Sequence, residues 1–433
     1  MSRSFTYEGI RCVDSSFCCD RAFFVSSWMM REQNPRRNYT LFLLGIGSEQ
    51  GLMMRDDFKD DFALTEDVAY LDAANIGLVP EPVIETATEI FADIARGGTR
   101  ELNEQREAMV YDNLREESAA LFGCTPDNVA VFSSTTEALN VIAWSLDLGN
   151  GTIISTDVEF PSVTYPWIRI ARTQDLDVVL VESENWIVPE ETLLSRITAD
   201  TAVVVLSHVE YLTGQRFDLQ RIIEHAHEMG AIVVVDGIQA AGYLPLDLQE
   251  MGVDVYITGS YKWLLAPFGA AVVYINEDLR TDLEPAFVGW RSVEEMWNLD
   301  ATTLTYAPAA RKFEYSTSAY DVKLAMAESI KYLRTIGIEN IYDHNRELVT
   351  MLRQEVRNIE GTEIITPGTE GSRLTFSVDD MEGAEIERRL QNLSRPIEVS
   401  IRSGLIRVSP HIYNTEADIQ YAIEQFKEIL EGR

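Results

Sequence analysis

The sequence predicts an α/β protein: a large domain built on a mostly parallel seven-stranded sheet, followed by a smaller C-terminal α+β domain. Three observations lead there. Short β-branched runs alternate with amphipathic stretches from about residue 56 onward, the pattern of strands and helices wound into a parallel sheet. Past about residue 318 the pattern changes to long helical stretches broken by short apolar runs. A length of 433 residues also exceeds one ordinary core, so two domains are expected. The expected boundaries are 55–318 and 319–433, with residues 1–54 standing apart.

The seven strands read, in order, as "NVAVFS", "GTIIST", "LDVVLVES", "TAVVVLSHV", "AIVVVDGI", "VDVYITGS" and "GAAVVYIN". Helical stretches between them stop where a stop signal stands, as in "DLQRIIEHAHEMGA", where Gly230 caps the helix before the next strand. Beyond residue 318 come the helix "AYDVKLAMAESIKYLRTIG", a second near 340–359, the short strands "SRLTFSVD" and "GLIRVSP", and a closing helix. No internal repeat, low-complexity tract or long linker divides the chain.

Seventy acidic residues against 36 basic ones leave a net charge of −34, and only six of the basic residues are lysines. An acidic, lysine-poor surface resembles the proteins of salt-accumulating microbes such as halophilic archaea, where high salt screens repulsion over a few ångströms. It also excludes nucleic-acid binding through a basic face. Residues 1–52 differ, with six arginines against five acids, three of the four cysteines, and no sustained period. They are expected to be an extension upstream of a start at Met53 or Met54, disordered or untranslated. Charges interrupt every apolar stretch there, so no signal peptide is expected, and "TLFLLGI" is too short to span a bilayer. Cys124 remains, without a Cys/His cluster at ligand spacing, so neither a disulfide framework nor a metal site is expected, and the compartment reads as reducing cytoplasm.

"AIVVVD" delivers Asp236 to the carboxyl end of an apolar strand, the edge where open α/β sheets bind ligands. "VDVYITGSYK" brings Lys262 to the same edge, between Tyr261 and Trp263, in a chain that replaces lysine by arginine almost everywhere. A desolvated amine has a lowered pKa and condenses with aldehydes, which arginine cannot do. An aldehyde cofactor with a pyridine ring would use both residues, the lysine for its aldehyde and the carboxylate for its ring nitrogen. Such a cofactor also carries a phosphate, and "VFSSTTEALNVIAW" offers it a strand, then Ser134, Thr135 and Thr136, then a helix whose free N–H groups favour an anion. His208, closing "AVVVLSH", is a further candidate cofactor contact, with a hydrogen-bonded core histidine as its alternative.

Together these motifs resemble the class V aminotransferase family of pyridoxal-phosphate enzymes, over residues 68–430. The resemblance implies fold type I, pyridoxal 5'-phosphate as cofactor, an amino acid substrate and a homodimer. In "YLDAANIGLVP" it implies that Asn75 approaches substrate. In "VVVDGIQAAG" it implies that Asp236 pairs with the ring nitrogen and Gln239 with the ring hydroxyl. It places Phe160 as the face stacked on the ring, and Thr317 as a residue reaching the neighbouring subunit's phosphate. Arg402 and Arg407 fall in "SIRSGLIRVSPHIYNT", the latter matching the family's carboxylate-binding arginine. Two departures stand out: Tyr211 replaces an asparagine near the ring hydroxyl, and Tyr261 replaces a histidine, so a phenol would contact the phosphate there.

The same lysine chemistry serves several reactions. Transamination is the first expectation, then cysteine or cystine C–S lyase or desulfurase-like activity, then epimerisation. Desulfurases need a mobile cysteine before the C-terminal arginine, and "IRSGLIRVSP" holds neither cysteine nor room for a long loop. A non-catalytic protein that senses the cofactor would be expected to carry a helix-turn-helix, and none is legible. A nicotinamide enzyme would need G-x-G-x-x-G after its first strand, which is also missing.

Overall fold

The computed structural model describes residues 56–63, 67–369 and 371–431; the expected extension over 1–54 lies outside them. After β1 (Ala69–Tyr70) the chain forms seven strands of one sheet: β2 (Val129–Phe132), β3 (Thr152–Thr156), β4 (Asp177–Val181), β5 (Thr201–Ser207), β6 (Ile232–Asp236), β7 (Val255–Gly259) and β8 (Ala271–Ile275). Their order is β2-β8-β7-β6-β5-β3-β4, and the sheet is parallel throughout except for β8, antiparallel to both neighbours. All seven expected runs are therefore strands of this sheet. Six of them end at the same edge.

Continuous apolar sequence is what a strand covered on both faces requires. β2, β7 and β8 are buried along their whole length, whereas β4 at the border keeps exposed positions. One face packs Val131, Val204, Val233 and Val235 among the helices Glu104–Phe122, Leu219–Met229 and Tyr320–Ile336. The other packs Val203, Val205, Val234 and Val255 against the helices Thr135–Ser145 and Pro161–Ala171. Gly230 ends its helix in the left-handed region, as expected.

The C-terminal part adds β9 (Thr362–Ile364), β10 (Leu374–Val378), β11 (Ile397–Glu398), β12 (Ser400–Arg402) and β13 (Leu405–Val408). β12-β13-β10-β9 form an antiparallel sheet with its own apolar core against the helices Ile338–Val356 and Glu416–Glu431. β11 pairs in parallel with β1, and Ser409 N donates to Leu71 O, so the N-terminal segment 69–77 is stitched to this sheet. Among the described residues no helix is long and apolar enough to cross a membrane.

The loop after β6 must pass close to the loop after β7. Gly242 makes this possible, with φ at +109° and a position where a Cβ would stand 2.3 Å from the carbonyl oxygen of Trp263. Gly242→Ala is expected to cost about 1–3 kcal/mol from overpacking alone and to displace the lysine loop. Denaturant unfolding should show a lowered midpoint, and cofactor absorbance per chain should fall with it.

Candidate active site

The shared carboxyl edge of the parallel strands gathers the chemistry, as open α/β sheets do at their ligand crevices. Ser133 follows β2, Phe160 follows β3, Tyr211 follows β5, Asp236 ends β6, and Lys262 lies three residues past β7. Gly77 N donates to Tyr261 O at 2.8 Å, and a Cβ at Gly77 would fall 2.1 Å from Lys262 O. Trp263, fully buried, donates from Nε1 to Gln239 Oε1 at 2.9 Å. His411 Nε2 lies 3.1 Å from Trp263 O. The backbone that presents Lys262 is thus fixed from three sides.

The Lys262 amine lies 5.8 Å from the ring centroids of both Phe160 and Tyr261. Loss of hydration pushes its pKa down; Asp236 opposes this, while Arg407, Arg373 and Arg402 add to it. Asp236 is pushed in the other direction, up, by its own burial, partly offset by the Ile238 N–H at 2.9 Å and by Lys262. An amine that loses its proton far more readily than an ordinary lysine, with a buried carboxylate that a pyridinium can satisfy, is the combination an aldehyde cofactor needs.

Phe160 is 46% exposed at the mouth of this site, its ring meeting that of Tyr211 edge-on at 5.5 Å. Its open face is therefore available for stacking. Ser134 caps the helix Thr135–Ser145 by accepting from Glu137 N, and Thr136 Oγ1 donates to Ser162 Oγ. Glu137 takes the Ser133 N–H at 2.7 Å and the Tyr315 hydroxyl, so Ser133 is not a free donor. Thr317 lines a cavity of about 100 Å³ together with Ser133 and Glu137. Tyr261 stacks on Phe268 at 4.4 Å.

On the substrate side, Arg407 is buried; it donates to Tyr211 O at 2.8 Å and Ser400 Oγ at 3.1 Å, and lies 3.6 Å from Asp72. Its Nε has no partner. Arg402 is exposed and donates to Asn75 Oδ1 at 3.2 Å, while Asn75 Nδ2 donates to Asp72. Asn75, Arg402 and Arg407 are thus one network.

Two expected contacts have partners within the protein. The Gln239 carboxamide donates one N–H to Ala74 O and accepts from Trp263, which makes it a strut between the N-terminal segment and the lysine loop as well. His208 is buried with Nδ1 3.0 Å from the Tyr256 hydroxyl, and burial pushes its pKa down to about 3. It packs as a neutral core histidine under Asp236, whose carbonyl accepts its N–H.

The model of the family described as Aminotransferase class-V matches residues 69–422. The chain belongs to the class-V aminotransferase family. It is 27% identical to a protein named probable cysteine desulfurase from Methanothermobacter thermautotrophicus, over 87% of this chain and 98% of that one. It is 28% identical to an isopenicillin N epimerase of Amycolatopsis lactamdurans, over 86% of this chain and 97% of that one. Among solved structures, the apo cysteine desulfurase of Thermococcus onnurineus superposes with a TM-score of 0.79 at 22% identity, covering 90% of this chain and all of that one. The fold is that of fold type I.

This family uses pyridoxal 5'-phosphate, and the class-V site here fits it. Thr135 Oγ1 is buried without a hydrogen-bond partner, at the N-terminus of a helix whose first N–H groups lack intrahelical acceptors. Gly259 leaves room beside it, since a Cβ there would meet Thr135 Oγ1 at 2.6 Å. The donors suit a phosphate, Phe160 a ring face, Asp236 a ring nitrogen and Lys262 an aldehyde. Among the described residues no cluster of His, Cys, Asp and Glu suits a metal.

Two further buried ionisable groups lie here without any sequence signal pointing to them. Glu159, beside Phe160, accepts Ser207 N and Oγ at 2.7 and 2.6 Å, and burial pushes it up to about 8, so it keeps its proton at neutral pH. Arg373 is the other. Only the position of Glu159 next to an aromatic residue could have marked it.

The electrostatics predict that Lys262 titrates well below the ordinary lysine value of about 10.4 in cofactor-stripped protein. Asp236→Asn should lower the midpoint further, because the anion that favours the ammonium form is removed. Reductive ¹³C-methylation followed by NMR titration reads both; a rise in the Asp236→Asn midpoint would reverse the assigned sign.

Proposed function

We propose that this enzyme cleaves a carbon–sulfur bond of a cysteine-type amino acid by β-elimination, as a C–S lyase. Relatives named for cysteine desulfuration across 98% of their length support sulfur chemistry over transamination, the first expectation from sequence. The observation that carries elimination over persulfide transfer is the β12–β13 hairpin. Arg402 pairs with Leu405 across a two-residue turn, Ser403–Gly404, with φ of +51° and +80°. That turn has no cysteine and no loop to move one. Cys124 stands at the far end of β2 from Ser133, and burial with the nearby Asp247 pushes its thiol up to about 12, where it is no nucleophile.

Bound pyridoxal phosphate would supply the electron sink that makes the α-proton acidic. The chain's own residues do the rest. Arg407 holds the α-carboxylate, assisted by Arg402 and Asn75. Lys262 takes the α-proton and returns it to the departing sulfur. Asp236 keeps the ring nitrogen's proton in place, and the start of the helix Thr135–Ser145 holds the phosphate. Phe160 covers one ring face and excludes water. The Cα–H and Cβ–S bonds break, sulfur leaves as thiol or persulfide, and the released aminoacrylate is hydrolysed to pyruvate and ammonia.

The protein is proposed to act as a homodimer in which Thr317 reaches the partner's phosphate. The large apolar side chains of Phe268, Phe287 and Val288, each about half exposed, support a covered surface there.

Incubation with cysteine or cystine is expected to yield pyruvate and ammonia with little alanine. Cys124→Ser or a thiol-blocking reagent should leave the rate within about two-fold of wild type, since no step uses that thiol. Alanine as the carbon product, with the sulfur held as a persulfide on Cys124, would instead identify a desulfurase; keto-acid formation that requires an amino acceptor would identify a transaminase.

A further inference from the structure

Arg373 precedes β10 in the C-terminal sheet, yet its side chain runs beneath the active-site loops of the large sheet. It is completely buried. Its Nη1 faces the carbonyl oxygens of Glu210 at 3.4 Å and Tyr211 at 3.2 Å, and its Nη2 donates to Gln239 O at 3.2 Å. The guanidinium lies 5.4 Å from the Trp263 ring centroid. One planar fork therefore reaches the loop after β5, the loop after β6 that begins at Asp236, and the loop after β7 that carries Lys262. Gly214 is shaped around it, since a Cβ there would come 2.7 Å from Arg373 Cγ.

A buried guanidinium ordinarily faces a carboxylate. Among the described residues none forms an ion pair with Arg373, and its Nε has no partner. Its nearest acidic groups are the Glu210 carboxyl and the Tyr243 phenol, and burial pushes both up, toward their uncharged forms. Arg407, on the strand paired with β10, donates to the same Tyr211 carbonyl from the other side. Two cations thus converge on one oxygen beside the lysine.

We propose that Arg373 is a positioning residue: its fork locks the three loops that carry the catalytic groups, and its buried guanidinium, in no ion pair, sets a positive charge beneath them. A protein that needed only to fill this space could do so with an apolar side chain at lower cost. The fork instead sits where three carbonyls must be held and where a positive field does chemical work. The groups facing Lys262 are Asp236 from β6, Tyr261 on its own loop, Phe160 after β3, Tyr211 after β5, Arg402 and Arg407 from the β12–β13 hairpin, and Arg373. Asp236 opposes the field of the three arginines, and burial acts with them. The inference rests on the reading of Lys262 as the cofactor lysine.

The test uses holoenzyme and two variants. Arg373→Gln removes the charge but keeps a carbonyl-binding amide; Arg373→Lys keeps the charge but loses the fork. In Arg373→Gln the pH midpoint of the lysine-linked absorption band is expected to rise by about half a unit or more, roughly three-fold in the protonation constant, as expected when a nearby positive charge is removed. Arg373→Lys should hold that midpoint near wild type, while amide exchange over 210–214 and 237–242 quickens about ten-fold from loss of the fork. A purely structural role would lower stability in both variants and leave the midpoint of Arg373→Gln unmoved, which overturns the inference. So does wild-type exchange in Arg373→Lys. Should Arg373→Gln not fold, Arg373→Met, which fills the space without the charge, is read in its place: the midpoint rises, and an unmoved one contradicts the proposal. If wild type showed no lysine-linked band, the Lys262 reading itself would fail first.

Discussion

One amine kept out of water at the carboxyl edge of a parallel sheet organises this molecule. Taking an ammonium from water is expensive, and the cost is met by letting the group lose its proton. Everything nearby follows from holding that amine still. Gly77 and Gly242 give up side chains so that backbone can approach the lysine loop, Trp263 is clamped by Gln239 and near His411, and Phe160 and Tyr261 wall the amine with rings.

The C-terminal sheet completes the site by supplying positive charge. Arg402 and Arg407 come from a hairpin with the shortest practical turn, and Arg373 from the strand beside it. Asp72, on the segment stitched to this sheet through β1 and β11, holds Arg407 and Asn75. The N-terminal segment therefore touches both the lysine loop and the arginines of the hairpin. A short rigid turn, where a desulfurase needs a travelling thiol, is the feature on which the proposed elimination rests.

Much of this was legible in the sequence because it obeys local rules. Short β-branched runs marked all seven strands of the large sheet, and the polar residue that ends such a run, as at Asp236, marks the ligand edge. Scarcity made Lys262 conspicuous. What sequence could not show depends on side chains meeting across long separations. The partners of Gln239, Ala74 and Trp263, stand 165 and 24 residues away, beyond the reach of any local pattern. His208 ends a strand at the active edge, but its ring turns toward Tyr256. β1 and β11, of two residues each, are too short for any period to declare, and the burial of Arg373 follows from the docking of one sheet on the loops of another.

The account stands on Lys262 as the lysine that binds the cofactor, and borohydride reduction of holoenzyme followed by peptide mapping tests that most directly. Lys323 is the natural competitor, being buried, without a hydrogen-bond partner, and pushed down to about 8 by burial. The account predicts a reduced pyridoxyl group on Lys262 alone, and no label in Lys262→Ala. A label on Lys323 or any other lysine in wild-type protein would contradict it.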